Sequence, residues 1–152
     1  MTTTVATVHD LAPLSGQHLG YSAWVEVTQE RVNTFADATD DHQWIHVDVE
    51  RATRESPFGG PIAHGYLTLS LLIPLWSEIL TVETMGVAVN YGLNKVRFPA
   101  PVPVGSRIRL GATLASVEEI TGGVQVTVDC VIEAENADKP VCIAQPVLRF
   151  YA

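Results

Sequence analysis

Residues 62–80, IAHGYLTLSLLIPLWSEIL, follow a glycine- and proline-rich break and are apolar nearly all round. A helix over this stretch would be buried on most of its surface. Pro74 inside it implies a kink or a register adjustment. Thr68, Ser70, Pro74, Ser77 and Glu78 interrupt the apolar run, which is too short to span a bilayer. Such a helix needs a wrapping, and the sequence after it supplies one. Residues 87–98, 107–117, 124–135 and 141–150 are β-rich and separated by proline, glycine or charged turns. Gly122-Gly123 is the clearest hairpin turn. The late strands are long and mostly sequential, which predicts an antiparallel meander. One buried helix with a long antiparallel sheet predicts an α+β fold in which the sheet curls around the helix.

Upstream, residues 1–19 show no periodicity and read as an extended N-terminal arm. Residues 21–27, YSAWVEV, alternate as a strand does, and Thr28 is placed to cap a helix. Val32, Phe35 and Ala36 then fall at i, i+3 and i+4, one buried helical face that ends near Thr39. Residues 39–43, TDDHQ, are turn-forming, so Asp40 and Asp41 fall on a loop just past a helix end. Asp48 can cap a brief helix through about Arg54, and residues 56–61, SPFGGP, are loop. At 152 residues, with no repeat and no linker, the chain is read as one domain over 1–152.

The net charge of -8 excludes the basic stripe that a nucleic-acid binder needs. A local positive patch from Arg51, Arg54, Lys95 and Arg97 would still suit an anionic group. Cys130 and Cys142 lie in alternating sequence with neither disulfide-scaffold nor zinc spacing, so they read as buried free thiols. The N-terminus has no cationic start and no apolar run of signal-peptide type, which predicts a cytoplasmic protein.

Chemistry-bearing residues crowd into residues 35–72. Asp41 and His46, five apart, could together hold one water, one group taking a proton while the other delivers one. The same spacing suits a helix-end turn residue and an interior histidine with a structural hydrogen bond. His64-Gly65 opens the long helix, where free backbone N–H groups and the positive dipole end lie. A glycine there allows close approach of a carbonyl, and serves equally as a tight helix start. Asp41, His42, His46 and His64 are potential metal ligands, but no HExxH occurs and neither cysteine is near, so no metal is expected. No G-x-S-x-G marks a nucleophilic serine. Trp76 reads as core. Asn90, Tyr91 and Arg97 stand out in the first late strand, where an arginine could pair with phosphate or carboxylate or simply face water.

Three blocks together resemble the MaoC-like dehydratase family, the hot-dog-fold (R)-specific enoyl-CoA hydratases. FADATDDHQWIHVD (35–48) resembles the hydratase signature F-[AS]-x-x-[ST]-G-D-x-N-P-[IL]-H-x-D. FGGPIAHGYLTLSLL (58–72) is similar to the family's opening of the central helix, and VNYGLNKVRFPAPVPVGSRIR (89–109) to the strand pair after it. The resemblance implies a single hot-dog fold, with a long antiparallel sheet wrapped around a central buried helix. It implies catalytic roles for Asp41 and His46 and a backbone N–H at Gly65 for the thioester carbonyl. Gln43, His64, Asn90 and Arg97 become the residues that bind or orient substrate. Asp40 stands where the signature has Gly, Gln43 where it has Asn, and Trp44 where it has Pro. The implied reaction is reversible hydration of a trans-2-enoyl thioester to an (R)-3-hydroxyacyl thioester in fatty acid metabolism. No cofactor is implied beyond coenzyme A or an acyl carrier as part of the substrate. The implied partners are an acyl-CoA or acyl-carrier-protein thioester and a second copy in a homodimer. The competing readings are an acyl-CoA thioesterase and a non-catalytic acyl-binding subunit of a heterodimeric dehydratase.

Overall fold

Ordered structure begins where an extended arm was expected. In the computed structural model, which describes residues 2–152, strand β1 (Thr3–Thr7) leads into a 3-10 helix (Val8–Leu14) and then β2 (His18–Tyr21). The arm reading of residues 1–19 is thereby corrected for the residues described. Val8 and Leu11 are fully buried, and the Asp10 carboxylate accepts the Thr7 N–H at 2.9 Å. Two apolar residues on one short 3-10 turn bury well yet are too few to register as periodicity. The strand expected over residues 21–27 breaks into β2 and the two-residue β3 (Val25–Glu26).

Helix α1 (Gln29–Thr39) starts as expected: the Thr28 hydroxyl accepts the Arg31 N–H at 3.1 Å, a cap worth about 1 kcal/mol. It buries Val32 and Ala36. It ends on Asp40 in the left-handed region (φ 59°, ψ 27°), and the Asp41 N–H reaches back to the Ala36 carbonyl at 3.2 Å. This is a Schellman-type stop, which glycine or a short polar residue accommodates best. A single turn, α2 (Trp44–Val47), follows, then α3 (Val49–Glu55), whose N-terminus Asp48 caps through the Arg51 N–H.

The long helix, α4 (Gly65–Ile79), buries Leu67, Thr68, Leu72, Leu75, Trp76 and Ile79. Its opposite flank stays open: Leu69, Leu71 and Ile73 are half-buried and Tyr66 and Ser70 exposed. The expectation of burial on most of its surface is corrected to burial on one broad face. Strand β4 (Leu80–Thr84) continues directly from it and pairs in parallel with β1, from Thr3↔Leu80 to Thr7↔Thr84. No helix of the described residues is long and apolar enough to cross a membrane.

Strands β5 (Val87–Arg97), β6 (Arg107–Ile120), β7 (Gly123–Ala134) and β8 (Cys142–Tyr151) match the four β-rich stretches. The sheet order is β2-β6-β7-β8-β5, with β3 also on β6. The meander holds for β6–β7–β8, with Gly122 (φ 82°) in the first hairpin turn. It fails for β5, which pairs with β8 at the far edge and not with β6. Residues 98–106 make that crossing. Extended, such a connection reaches about 30 Å, twice the roughly 14 Å across three strand spacings. On the way it lies over the start of α4, where the Ala63 N–H donates to Val102 O (2.8 Å) and the Val104 N–H to Pro61 O (2.9 Å).

The inward faces of β6 (Ile108, Leu110, Leu114), β7 (Val124, Val126, Val128) and β8 (Leu148, Phe150) close around the buried side of α4. This is the hot-dog arrangement. Cys130 and Cys142 are buried and free, and burial pushes their thiols up to about 12 and about 11, out of reach of ordinary thiolate chemistry.

Candidate active site

Three local stops bring the polar cluster together. The left-handed end of α1 turns the chain so that Asp41 faces the start of α4. The single turn of α2 presents His46 from one side. The N-cap position of α4 presents His64, and the next residue is Gly65. Asp41, His46, His64, Gly65, Tyr66 and Phe98 line one cavity of about 360 Å³.

His46 is 7 % exposed, and its Nδ1–H donates to the Ile62 carbonyl at 2.7 Å. That bond fixes the ring and leaves Nε2 as the nitrogen with a lone pair. The interior-histidine reading is thus satisfied through Nδ1 without removing His46 from chemistry. Its main chain is held as well, since Gln29 Nε2 donates to the His46 carbonyl at 2.7 Å. Burial, the largest influence, lowers the His46 pKa below its usual 6.5. The Ile62 hydrogen bond raises it, the neighbouring His64 lowers it, and Asp41 raises it. His46 therefore stands as a neutral base at pH 7.

The His64 ring, 2 % exposed, stacks on His46 with centroids 3.9 Å apart and planes inclined by 25°. Its Nε2–H donates to the main-chain carbonyl of Asp41 at 2.9 Å, while the Asp41 carboxylate lies 4.0 Å away and half-exposed. Gly65 opens α4, and N–H groups of a first helical turn have no partner inside their helix. A β-carbon at Gly65 would meet the Phe98 ring at 3.3 Å. The glycine thus keeps a slot open between the helix start and the crossing segment, in front of a partial positive charge.

Ligand-type atoms of Asp41, His46 and His64 all lie within 4.8 Å of one another. One nitrogen of each ring donates to a carbonyl, which leaves His46 Nε2 and His64 Nδ1 with lone pairs near the Asp41 carboxylate, a set that can serve an acid–base pair or hold a cation.

Asp41, His46, His64 and Gly65 are thus brought together, and the other expected residues are not. Gln43 is exposed at the N-cap of α2 and makes no side-chain cap. Arg97 is exposed and donates to the Val96 carbonyl. Asn90 lies in the first half of β5, lining a groove of about 280 Å³ with Leu69, Ile73, Leu93 and Leu148. His42 pairs with Asp37 at 2.9 Å on the surface. Sequence reasoning missed Phe98, which walls the Gly65 slot, and Phe35, whose ring packs on His64 at 4.8 Å. Phe35 carried a signal, as part of the buried face of α1; Phe98 carried none.

The sequence profile of the MaoC-like domain matches residues 10–136. The 3-hydroxyacyl-thioester dehydratase Z of Mycobacterium tuberculosis is 54% identical over 150 residues, 98% of this chain and 99% of that protein. Nodulation protein N of Rhizobium meliloti is 43% identical over 146 residues, 91% of this chain and 87% of that protein. Among solved structures, the (R)-hydratase from A. caviae superposes with a TM-score of 0.72 at 22% identity, covering 88% of this chain and 94% of that one.

Proposed function

The chain belongs to the MaoC-like domain family, and from that premise we propose that it is a hydro-lyase: an enoyl-thioester hydratase, or in reverse a 3-hydroxyacyl-thioester dehydratase. One observation carries the reading. The Asp41 carboxylate and the His46 ring share a cavity with the first N–H of a long helix, at a glycine that leaves room for a carbonyl.

A trans-2-enoyl thioester binds with its carbonyl oxygen on the Gly65 N–H. Enolate charge developing on that oxygen is stabilised by the N–H and the helix dipole. Asp41 and His46 Nε2 hold the water whose oxygen adds to C3. The proton removed from the water passes to the pair, and one proton returns to C2, so the enzyme ends each cycle as it began. The product is an (R)-3-hydroxyacyl thioester, and reversing the steps eliminates water. No metal and no redox cofactor enters the scheme; coenzyme A or an acyl carrier protein comes with the substrate.

Gln43, exposed at the start of α2 and outside the cavity, would have to turn toward the loop to orient the acid–base pair. Arg97, just beyond Phe98, offers its charge to a phosphate of the carrier. The groove at Asn90, with its apolar walls, takes acyl chain. It opens between the half-buried flank of α4 and the edge strand β5, where a second copy of the chain would sit. The pathway is fatty acid metabolism, in the cytoplasm.

Purified protein should hydrate crotonyl-CoA or a longer trans-2-enoyl-CoA, followed by loss of the conjugated double bond and chiral analysis of the product. Release of free thiol from a saturated acyl-CoA, without hydration, would replace this reading with a thioesterase. Failure of every enoyl-CoA length, with a second hot-dog chain co-purifying, would replace it with a non-catalytic subunit.

A further inference from the structure

His64 is the one polar side chain of the cavity that makes no use of its position at the helix start. An N-cap position normally holds Ser, Thr, Asp or Asn, whose oxygen accepts a first-turn N–H. His64 makes no such bond and reaches back across the cavity to Asp41. Its other nitrogen, Nδ1, is buried with no partner among the described residues. An apolar residue would fill the same space without leaving a buried polar atom unsatisfied. The imidazole therefore answers to something other than packing, and its contacts say what. It bonds the main chain of one reacting residue at 2.9 Å and stacks at 3.9 Å on the ring of the other.

We propose that His64 is a positioning residue that sets both members of the acid–base pair at once. Its Nε2–H clamps the Asp41 carbonyl, and its ring face forms the wall that His46 rests on. The choice of acceptor matters. By taking the main-chain carbonyl it holds the Asp41 loop to α4 while leaving the carboxylate free for water. The stack likewise restrains the His46 ring without occupying Nε2. The clamp joins the end of α1 to the start of α4, so the pair and the Gly65 N–H move as one unit. Phe35, packed on the same imidazole, ties the arrangement to the body of α1. The proximity of the two rings also contributes to the lowered His46 pKa.

The kinetic part of the test rests on the hydratase reading; the spectroscopic part does not. His64→Phe keeps a flat ring and loses the donor, whereas His64→Gln keeps an amide N–H at similar reach and loses the stack. Folded His64→Phe should lower kcat for enoyl-CoA hydration on the order of 100-fold, the scale of a misplaced catalytic group, with KM little changed. His64→Gln should retain more of kcat. In both, the acid limb of the pH–rate profile should move to higher pH, because the neighbouring imidazole no longer disfavours charge on His46. Histidine 15N spectra of the same variants should show His46 titrating at higher pH whether or not any thioester is turned over. In the wild type, the same spectra should show His64 protonated on Nε2 in its neutral form, with slow exchange of that proton. Wild-type kcat and an unmoved His46 titration in either folded variant would reduce His64 to a structural role. A rapidly exchanging Nε2 proton in the wild type would overturn the clamp even if neither variant folded. If wild-type protein hydrates no enoyl thioester, the hydratase reading fails while the spectra still decide on the clamp.

Discussion

At the scale of single residues, the proposed function rests on Asp41 and His46, and their surroundings separate chemistry from folding. Asp41 is half-exposed and His46 is held by a carbonyl through the nitrogen that chemistry does not need. Asp41→Asn and His46→Gln should therefore fold, with unchanged circular dichroism and little change in urea midpoint. Each should lose on the order of 10²–10⁴-fold in hydration rate, as loss of a general acid or base does. The lowered pKa of His46 sets the sign of the pH dependence. Neutral His46 persists below pH 6.5, so the acid limb of kcat/KM should lie below that value. Asp41→Asn removes a charge that raises the pKa, so any residual activity should have its limb lower still. Stability follows the same proton. The unfolded chain binds it near 6.5 while folded His46 resists, so this contribution is complete above pH 6.5 and is lost as pH falls through the folded value. Both residues could be picked out in the sequence, but only as a spacing that an ordinary turn and an interior histidine satisfy equally. What the spacing lacked was the partner set: the Ile62 carbonyl and the His64 ring come from residues 16 and 18 positions further on.

At the scale of elements, legibility followed locality. Thr28 and Asp48 were readable as caps because a cap bonds a residue three positions away. Asp40, in place of the signature's Gly, still makes the left-handed stop, which short polar residues tolerate. The N-terminal segment was not readable. Its order comes from β1 pairing with β4, nearly 80 residues on, and from two buried side chains on one 3-10 turn. Leu11→Ala should accordingly cost about 2–5 kcal/mol in urea unfolding, as for a fully buried leucine. A free arm would lose almost nothing. Residues 99–105 read in sequence as a plain turn and Phe98 as the end of the strand before it, yet the crossing carries Phe98 to the Gly65 slot. Gly65→Val fills that slot between α4 and the Phe98 ring. Turnover should fall on the order of 100-fold by displacing the carbonyl from the helix N-terminus, while the far-UV spectrum stays helical and β-rich. A Gly65→Val enzyme with wild-type kcat/KM would remove the helix start from the mechanism.

At the scale of the molecule, the unresolved demand is the free edge of β5. Ten of its eleven residues are exposed, including Val87, Val89, Tyr91 and Leu93, and among the described residues no strand lies beside its outer edge. A long apolar edge strand is a template for pairing, and stable proteins cover it. The sequence VAVNYGLNKVR carries no mark that separates an edge from a central strand, which is why the simple meander was expected. The homodimer proposed above would cover this edge, with β5 against β5 about a two-fold axis in a self-complementary interface. The half-buried residues Leu69 and Ile73 of α4 line the groove beside that edge, so the same contact would shelter them and close the cavity at Asn90. Light scattering at micromolar concentration should give twice 16.5 kDa, about 33 kDa. Val89→Lys with Leu93→Lys places like charges opposite each other across the axis and should shift the mass to a monomer. If the groove proposed for the acyl chain opens at this edge, the monomer should lose affinity for long enoyl chains more than for crotonyl-CoA. A wild-type chain that runs as a monomer with full activity would leave β5 without this partner, and an assembly formed only with a different hot-dog chain would replace the homodimer by a heterodimer.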